Sequence, residues 1–412
     1  MIYGCIGEHL PHSFSKEIHN KIGGYDYALR EIPKGGLDAF MREKDFRAIN
    51  VTIPYKRDVI PYLDEIDSGA KAIGAVNTIV NKGGKLFGYN TDFYGMTALI
   101  EKLGIDLSNK KVLVLGTGGT SKTANAVAKA LGACEIVTVS RSAGEGRVTY
   151  EEALSLHTDA QVIINTTPCG MFPEISGMPI DISGFSALEG VIDAVYNPLR
   201  TNLVSAAKAR GIKAEGGLYM LVAQAVKAYE FFFDTEAESD LSGRIFAELS
   251  AEKENIVLTG MPASGKTTVG RIIASDLGRE LIDTDDLIVK KYGEPITDIF
   301  AKYGEDEFRR RETEVIAEVA KLSGAVISTG GGAVLREENI KLLKMNGRIY
   351  FRDRELKYLL PTSDRPLALS REDIRKRFEE RYDIYVSTAD EVIRTEDDAK
   401  AAALEIERRH RR

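Results

Sequence analysis

Short apolar runs alternate with longer segments of helical periodicity along the whole chain. The runs richest in β-branched residues occupy 112–115, 136–140, 162–165, 191–195, 256–259, 325–328 and 348–351. Runs of this length suit buried strands and are too short for helices. Because strands that alternate with helices form parallel sheets covered by helices, the pattern predicts α/β units around mostly parallel sheets.

The pattern changes between residues 234 and 255, where the chain becomes polar and acidic. Few apolar residues are available there to build a core, so this segment is the best candidate for a boundary between domains. We predict a linker over 237–253, within which residues 241–249 form a short helix. With 412 residues the chain is long enough for several hydrophobic cores.

Composition excludes several classes of function. Hydrophobic residues make up 43% and charged residues 28% of the chain, and the net charge of −7 opposes binding to nucleic acid or to anionic membranes. No apolar stretch approaches the ~18 residues of a membrane span, and the first residues have the pattern of a strand instead of a signal peptide. The three cysteines have no metal-like spacing, which favours a reducing compartment. We therefore expect a cytoplasmic protein whose partners are small molecules.

Residues 260–267 read GMPASGKT and directly follow the apolar run 256–259. This is the G-x-x-x-x-G-K-[ST] pattern, in which backbone N–H groups surround phosphate oxygens, a lysine reaches the β- and γ-phosphates and a hydroxyl binds Mg²⁺. A helix over 268–277 would add its positive N-terminal end. The pattern predicts a nucleoside triphosphate site whose residues are Gly260, Ala263, Ser264, Gly265, Lys266 and Thr267, with Thr267 also a metal ligand.

A second glycine turn, formed by Gly116, Gly118 and Gly119, follows the run 112–115. Strand, glycine turn and helix in this order are typical of a dinucleotide site, although Ser121 occupies the third glycine position of the G-x-G-x-x-G pattern. A purely structural turn between a strand and a helix is the alternative.

The end of the next apolar run bears on the identity of the dinucleotide. Sites for NAD place an acidic residue there to bind the ribose, but this chain has Ser140, Arg141 and Ser142. A guanidinium group between two hydroxyl groups suits the 2′-phosphate of NADP. The alternative is a surface arginine that contacts only solvent.

Polar residues cluster in short segments of the first half, at 12–15, 50–56, 74–78 and 88–92. They contribute hydroxyl groups, amides, a lysine and an aspartate, a set that suits a polyhydroxylated acid as the ligand. The spacing predicts neither a His, Cys or Glu metal site nor a Ser–His–Asp arrangement.

The second half carries charged and glycine-rich segments after the nucleotide loop. Three aspartates lie within 281–286, three arginines within 306–312 and three consecutive glycines within 328–334. Carboxylates at a strand end can organise Mg²⁺ or accept a hydroxyl proton, and guanidinium groups bind carboxylates in a bidentate way. Consecutive glycines let backbone amides approach a ligand. The plainer alternatives are an exposed helix face for the arginines and a simple turn for the glycines.

Over residues 7–224 the chain resembles shikimate dehydrogenases. Eight motifs follow in the order of that family: HS-x-S from 12, NVT-x-P-x-K from 50, GAVNT from 74, G-x-NTD from 88, the glycine turn from 116, NTTP-x-GM from 165, D-x-x-Y-x-P from 193 and ML-x-x-QA from 220. The resemblance implies that the substrate is held by Ser13, Ser15, Asn50, Thr52, Asn77, Tyr196 and Gln224. It also implies that Lys56 and Asp92 are the catalytic pair, in contact with the substrate, and that Gly217 is a further NADP residue.

The reaction implied by this resemblance is the reduction of 3-dehydroshikimate to shikimate by NADPH. The ketone needs a hydride on its carbon and a proton on its oxygen, and a protonated lysine beside that oxygen can supply the proton and stabilise the developing charge. We expect Lys56 to donate the proton and Asp92 to orient it, while a role of Lys56 as a base in the reverse direction stays open. The chain departs from the usual family pattern at His9, Lys16, Thr120 and Thr123.

Residues 254–395 resemble shikimate kinases, with the motifs in the order and spacing of that family. The resemblance implies that Asp285 contacts the reacting hydroxyl as the base, that Asp283 supports Mg²⁺ and that Arg365 is a catalytic residue closing over the phosphoryl group. It also implies a shikimate pocket lined by Arg309, Gly330, Gly331, Gly332 and Arg381. Transfer of this kind depends on positioning and charge neutralisation. The chain has Ala263 where a glycine is common and Tyr358 where an adenine-stacking arginine is common.

The product of the first implied reaction is the substrate of the second, so we predict a bifunctional enzyme that uses NADP(H), ATP and Mg²⁺. The predicted fold class is α/β. An N-terminal α/β substrate domain covers 1–100 and is closed by a helix over 218–236, a Rossmann-type NADP domain covers 101–217, and a P-loop domain like those of nucleoside monophosphate kinases follows the linker, over 254–412. Two alternatives stay open: a preference for quinate with NAD in the first half, and a kinase-like domain that senses a ligand without catalysis.

Overall fold

The chain divides into two units, residues 1–249 and 250–412. The computed structural model describes residues 2–10, 14–359, 370–395 and 398–411. Each unit has its own sheets and its own buried apolar clusters. The boundary between them falls inside the acidic segment 234–255 that the sequence pattern marks.

The first sheet of the first unit mixes parallel and antiparallel strands. Its strands are β1 (Tyr3–Gly7), β2 (Ala28–Glu31), β3 (Ala48–Val51), β4 (Glu65–Ile66), β5 (Thr78–Lys82) and β6 (Lys85–Tyr89), in the order β2-β1-β3-β5-β6-β4. The helices of this part are α1 (Ser15–Ile22), α2 (Leu37–Glu43), α3 (Ser68–Ile73) and α4 (Thr91–Lys102). Strand β3 pairs with β1 in parallel and with β5 in antiparallel register, which places Asn50 opposite Thr78.

The second sheet of this unit is parallel throughout. Its strands are β7 (Lys111–Leu115), β8 (Glu135–Ser140), β9 (Arg147–Thr149), β10 (Val162–Asn165), β11 (Gly190–Asp193) and β12 (Lys213–Glu215), in the order β12-β11-β10-β7-β8-β9. The helices that follow in this unit are α5 (Gly119–Ala130), α6 (Tyr150–Leu156), α7 (Asn202–Ala209) and α8 (Leu218–Phe233), and α9 (Leu241–Lys253) begins in this unit and contains the boundary at residue 249. The order reverses at β7, and ligands of α/β sheets bind at such a switch point.

Helix α8 returns from the second sheet to the first. Its Ala228 and Phe232 pack in one buried cluster with Cys5 and Val80 of the first sheet. It also lies close to α4, where an added Cβ at Gly95 would be 2.5 Å from Met220 O and 3.0 Å from Gln224 Cβ. The two helices therefore meet backbone to backbone, and a side chain at Gly95 would force them apart.

The predicted linker contains a helix that is longer than the sequence pattern indicates. In α9 the side chains of Leu241, Ile245 and Leu249 are buried. Because these residues recur at every fourth position, they form one apolar face, which packs in the first unit against Ile18 and Val226. The polar composition of 237–253 therefore reflects the outer face of an amphipathic helix.

The second unit is built on a parallel sheet. Its strands are β13 (Asn255–Thr259), β14 (Leu281–Asp283), β15 (Val326–Ser328), β16 (Gly347–Asp353) and β17 (Glu391–Arg394), in the order β14-β15-β13-β16-β17. Its helices are α10 (Lys266–Leu277), α11 (Thr284–Tyr292), α12 (Ile296–Val319), α13 (Glu337–Asn346), α14 (Arg371–Thr388) and α15 (Ala399–His410). Every residue of β13 is buried, as is typical of a central parallel strand covered on both faces.

The strands expected from the apolar runs are all present, as β7, β8, β10, β11, β13, β15 and β16, and the predicted α/β class is confirmed. The helix expected over 268–277 begins slightly earlier, at Lys266, and the short helix expected over 241–249 extends to Lys253. None of the described helices combines the length and the apolar character that crossing a membrane requires.

We predict that Gly95→Ala lowers the free energy of unfolding of the first unit by about 1–3 kcal/mol, because the added methyl group meets the backbone of α8. Chemical denaturation followed by circular dichroism measures the change, and amide hydrogen exchange locates it in α4 and α8. Gly184→Ala is the matched control, since an added Cβ there would meet only Thr158 Cγ2, at 3.9 Å. Equal stability of the two variants would contradict the close approach of the helices.

Candidate active sites

Lys56 and Asp92 form an ion pair in the first unit. Lys56 lies in the loop after β3, and Asp92 lies in the first turn of α4. Lys56 Nζ donates to Asp92 Oδ2 at 2.6 Å, with the two side chains 25% and 10% exposed. Asn77 Nδ2 donates to the other carboxylate oxygen, Oδ1, at 2.9 Å. Both oxygens of Asp92 are therefore occupied, and the ammonium group is held in a fixed direction at a position that solvent reaches.

Asn77 and Asn50 belong to one hydrogen-bonded network, because the register of β3 and β5 places Asn50 opposite Thr78. Asn50 Nδ2 donates to Thr78 Oγ1 at 3.0 Å, and Thr78 Oγ1 donates to Asn77 Oδ1 at 3.1 Å. Asn77 Oδ1 also accepts from the backbone N–H of Thr91 at 2.7 Å, so the Asn77 amide can turn only its Nδ2 towards Asp92. The structure thus brings together four predicted residues: Asn50, Lys56, Asn77 and Asp92.

The other predicted substrate residues of this unit lie on neighbouring elements. They are Ser15 at the start of α1, Thr52 after β3, Tyr196 after β11 and Gln224 in α8. The Tyr196 ring lies 5.3 Å from that of Phe14, and burial raises the pKa of its phenol. No hydrogen bond within the described ranges joins Thr52, Tyr196 or Gln224 to the Lys56–Asp92 pair. Ser13 lies outside the described residues.

The glycine turn after β7 fits a phosphate-bearing ligand. Gly116 has φ 108°, and an added Cβ there would lie 2.8 Å from Thr166 Oγ1. At Gly118 and Gly119 an added Cβ would meet nothing within 4 Å. The backbone therefore requires glycine at Gly116, while the next two glycines leave open space at the N-terminal end of α5, where a pyrophosphate would be stabilised.

Ser140, Arg141 and Ser142 lie at the end of β8, the strand paired with β7. Arg141 is exposed, and the Ser142 N–H donates to Ser140 Oγ at 3.3 Å. The adjacent strand ends give these residues a position beside the glycine turn. Gly217 has a different reason for being glycine: an added Cβ would lie 2.3 Å from Ala194 O, so close packing at the start of α8 requires it. Its contact with a cofactor stays a prediction.

The loop after β13 in the second unit offers donors for phosphate oxygens. Lys266 is 5% exposed, and its Nζ donates to Gly260 O at 2.9 Å and to Met261 O at 3.0 Å. Ser264 Oγ is buried and has no hydrogen-bond partner among the described residues. Backbone carbonyls hold the Lys266 ammonium group inside the loop, and the Ser264 hydroxyl is available to a phosphate oxygen. Gly265 has φ 85°, which glycine adopts without strain.

Ala263 and Tyr358, the two residues that depart from the usual kinase pattern, both lie close to Arg354. Ala263 adopts φ 62°, a left-handed conformation that costs a residue with a Cβ about 1 kcal/mol. Arg354 Nη1 donates to Ala263 O at 2.9 Å, and the Arg354 guanidinium carbon lies 5.7 Å from the centre of the Tyr358 ring. Arg354 therefore supports the strained loop residue and contacts the aromatic ring at the same time.

The oxygen atoms expected to bind Mg²⁺ are in contact with one another. Thr267 Oγ1 donates to Asp283 Oδ2 at 2.8 Å and lies 3.2 Å from Ser328 Oγ. No group of three or more His, Cys, Asp or Glu side chains within the described ranges could hold a metal ion by itself. This donor set fits Mg²⁺, which commonly takes one or two protein carboxylates and completes its shell with phosphate and water.

Residues 330–332 form a wall around which the predicted substrate residues gather. An added Cβ at Gly330 would lie 2.6 Å from Asp285 Oδ1 and 2.9 Å from Glu312 Oε1, and one at Gly332 would overlap the Arg309 guanidinium group. A side chain at Gly330 or Gly332 would therefore displace these charged groups from the wall.

The far side of the wall is held by α14. Arg381 Nη1 donates to Gly331 O at 3.3 Å, and Tyr385 OH donates to the same oxygen. The structure thus gathers Asp285, Arg309, Gly330, Gly331, Gly332 and Arg381. Arg365 lies outside the described residues.

A buried ion pair orients the Arg309 guanidinium. Arg309 Nη1 lies 2.7 Å from Glu312 Oε2, with the side chains 8% and 0% exposed, and Arg309 Nη2 lies 3.1 Å from Glu305 Oε1. Burial raises the pKa of Glu312 and the Asp285 charge adds to the effect, while the Arg309 charge opposes it. Burial lowers the pKa of Arg309, but the two carboxylates outweigh it and raise this pKa.

Comparisons with known proteins match both units. The family model described as "Shikimate dehydrogenase substrate binding domain" matches residues 5–79, and the one described as "Shikimate kinase" matches residues 262–410. A shikimate dehydrogenase (NADP(+)) of Clostridium perfringens is 36% identical over 266 residues, which cover 60% of this chain and 98% of that protein. The chain belongs to the shikimate dehydrogenase family, and a shikimate kinase domain follows in the same chain.

Solved structures support the dehydrogenase assignment. A chorismate mutase/shikimate 5-dehydrogenase fusion protein from Clostridium acetobutylicum has 35% identity and a TM-score of 0.57, covering 60% of this chain and 96% of that one. The shikimate 5-dehydrogenase of Thermus thermophilus, solved in complex with NADP(H) and shikimate, has 27% identity and a TM-score of 0.54, covering 60% of this chain and 99% of that one.

Two supporting residues of these sites are missed by the sequence patterns. Glu312 lies three residues after Arg309 on a helix, and that spacing could have predicted the pair. Tyr27 OH donates to Asn50 Oδ1 at 2.7 Å, and the His19 ring stacks on the Tyr27 ring at 3.8 Å. Burial lowers the pKa of His19 to about 3, so this layer under the dehydrogenase site is uncharged. No local pattern could have linked Tyr27 to Asn50.

We predict that Glu312→Gln raises the KM of the kinase for shikimate about tenfold, because Arg309 loses the charged partner that directs its guanidinium group. Initial rates at saturating ATP measure the effect, and kcat should change much less. Glu307→Gln is the control, since Glu307 pairs with Arg310 and Arg311 instead. The same rise in KM in both variants would show that the Arg309–Glu312 pair has no special role.

Proposed function

We propose that each unit carries out one of two consecutive reactions at the residues described above. The first unit is an NADP-dependent shikimate dehydrogenase that reduces 3-dehydroshikimate to shikimate. The second unit is a shikimate kinase that uses ATP and Mg²⁺ to form shikimate 3-phosphate. The observation that carries the assignment of residues is that each unit holds its own charged centre, Lys56–Asp92 in one and Asp285 with Arg309 and Arg381 in the other.

In the dehydrogenase the protein must deliver one proton. NADPH supplies the hydride when it is bound. Lys56 Nζ, directed by Asp92, gives a proton to the ketone oxygen. The π bond of the C=O group is lost, a C–H and an O–H bond form, the C–O single bond remains, and Lys56 regains a proton from solvent. The ammonium charge also stabilises the oxygen as negative charge develops on it. Asn50 and Asn77, whose amides are fixed by Thr78 and Thr91, hold the hydroxyl groups of the ring.

In the kinase the protein must orient two reactants and remove one proton. ATP supplies the phosphoryl group when it is bound with Mg²⁺. The 3-hydroxyl of shikimate gives its proton to Asp285 as its oxygen forms the new bond to phosphorus and the bond to the leaving diphosphate breaks. Arg309 and Arg381 bind the carboxylate on the other side of the ring, which fixes the direction of the hydroxyl. Lys266 and Ser264 bind the phosphate oxygens.

The predicted surroundings of the enzyme follow from its charge and its thiols. A net charge of −7 disfavours nucleic acid and anionic membranes as partners. Cys5, Cys134 and Cys169 are free thiols, a state that a reducing compartment maintains. We therefore assign both reactions to the cytoplasm.

Crossed substitutions test the assignment. Lys56→Met should lower dehydrogenase kcat at least about 100-fold and leave kinase activity unchanged, because only the first unit loses its proton donor. Asp285→Asn should do the reverse, because only the second unit loses its base. The measurements are NADPH oxidation with 3-dehydroshikimate and ADP formation with shikimate, ATP and Mg²⁺. If one variant loses both activities, or if a variant keeps both, these residues are not two independent catalytic centres.

Cofactor choice gives a separate test. We predict that Arg141→Gln raises the KM for NADP about tenfold and changes the KM for NAD little, because only NADP carries the 2′-phosphate. The values of kcat/KM for shikimate and quinate with each cofactor should favour shikimate with NADP in the unaltered protein. A higher value for quinate with NAD would support the alternative substrate, and an equal loss with both cofactors in the variant would place Arg141 outside the phosphate site.

A further inference from the structure

Arg377 lies one helical turn before Arg381 on α14. Residues four apart lie on the same face of a helix, so the Arg377 side chain belongs to the face that carries Arg381 to the glycine wall. Arg377 is half-buried, and its Nη1 donates only to a backbone oxygen of its own helix, Asp373 O, at 3.1 Å. Its Nε is buried and has no hydrogen-bond partner among the described residues.

Arg377 and Arg381 differ from several arginines of this unit because neither is paired with a carboxylate among the described residues. Several other arginines of the unit have carboxylate partners, as Arg375 has Glu379 at 3.1 Å and Arg309 has Glu312 at 2.7 Å. Within the described ranges Arg377 and Arg381 form no ion pair with a carboxylate. Two like charges one turn apart destabilise a helix. A buried anion between them and Arg309 would remove that repulsion.

The pKa of Arg381 shows that the three guanidinium groups act on one another. Burial lowers this pKa, and the charges of Arg309 and Arg377 lower it further, while Tyr385 opposes the effect. The carboxylates of Glu312 and Glu305 already compensate the Arg309 charge. The charge that attracts an anion into the pocket is therefore supplied by α14.

We propose that Arg377 is a specificity-determining residue of the kinase site, where it serves as a third cation for the carboxylate of shikimate. The inference rests on the proposed kinase function and deepens it. Arg377 and Arg381 together select a substrate that carries a negative charge opposite its reacting hydroxyl. The positive charge of Arg377 strengthens binding of the carboxylate. The phosphoryl transfer itself depends on Asp285 and the phosphate-binding loop.

The test compares shikimate with its uncharged methyl ester in the full-length protein. Arg377→Gln should raise the KM for shikimate about tenfold and leave the KM for the ester, the KM for ATP and kcat nearly unchanged. Arg377→Lys should show a smaller rise, because it keeps the charge without the planar guanidinium group. Added salt should raise the KM for shikimate more in the unaltered protein than in Arg377→Gln.

Controls separate the possible failures. Arg375→Gln, on the same helix, should behave as the unaltered protein, and dehydrogenase rates report the amount of intact chain in every sample. If the unaltered protein does not phosphorylate shikimate, the proposed function itself is wrong. If it does, two results would overturn the role of Arg377. One is that Arg377→Gln raises the KM for shikimate and the KM for the ester equally, and the other is that it raises the KM for ATP instead. Should Arg377→Gln fold poorly, Arg377→Lys replaces it in the test. A rise in the KM for shikimate without a rise in the KM for the ester supports the role of Arg377, and an equal rise in both overturns it.

Discussion

Parallel pairing brings the carboxyl ends of neighbouring strands to one edge of a sheet, and the predicted nucleotide sites of both units lie at such an edge. In the second unit β14, β15 and β13 are neighbours. Asp283, the glycine wall and the phosphate-binding loop therefore converge, although the sequence separates them widely. In the first unit β8 lies beside β7, which brings Arg141 next to the glycine turn. A register shift in either sheet would turn these side chains to the wrong face.

Charge balance inside each unit is the second constraint. A charge removed from water is costly unless a partner and further hydrogen bonds accompany it. Asp92 meets this demand with Lys56 on one oxygen and Asn77 on the other, so the lysine is directed without being buried. Glu312 is the partner of opposite charge for Arg309, whose guanidinium group is buried far more deeply than the Lys56 ammonium group. The partner carboxylates hold these cations in place before any substrate arrives, which removes an ordering cost from binding.

Local patterns predicted the parts of this protein that local physics decides. The apolar runs became strands, and both glycine turns lie where a strand gives way to a helix. The dependence of Asn50 on Thr78 and Tyr27 could not be predicted, because it arises from strand register and from a residue that no motif contains. Helix α9 was underestimated because its polar outer face dominates the composition. Gly217 shows a third difficulty: packing against Ala194 explains this glycine without any ligand.

The two proposed sites recognise the same molecule by different chemistry. In the proposed dehydrogenase site amides and hydroxyl groups would hold the ring, and Lys56 would contact both Asp92 and the reacting oxygen. In the proposed kinase site guanidinium groups would hold the carboxylate, and charge-assisted hydrogen bonds are about twice as strong as neutral ones. In these proposals the dehydrogenase site holds the hydroxyl groups of the ring mainly with neutral groups, while the kinase site adds ionic attraction for the carboxylate. If both proposals hold, this difference favours release of shikimate after reduction and its capture before phosphorylation.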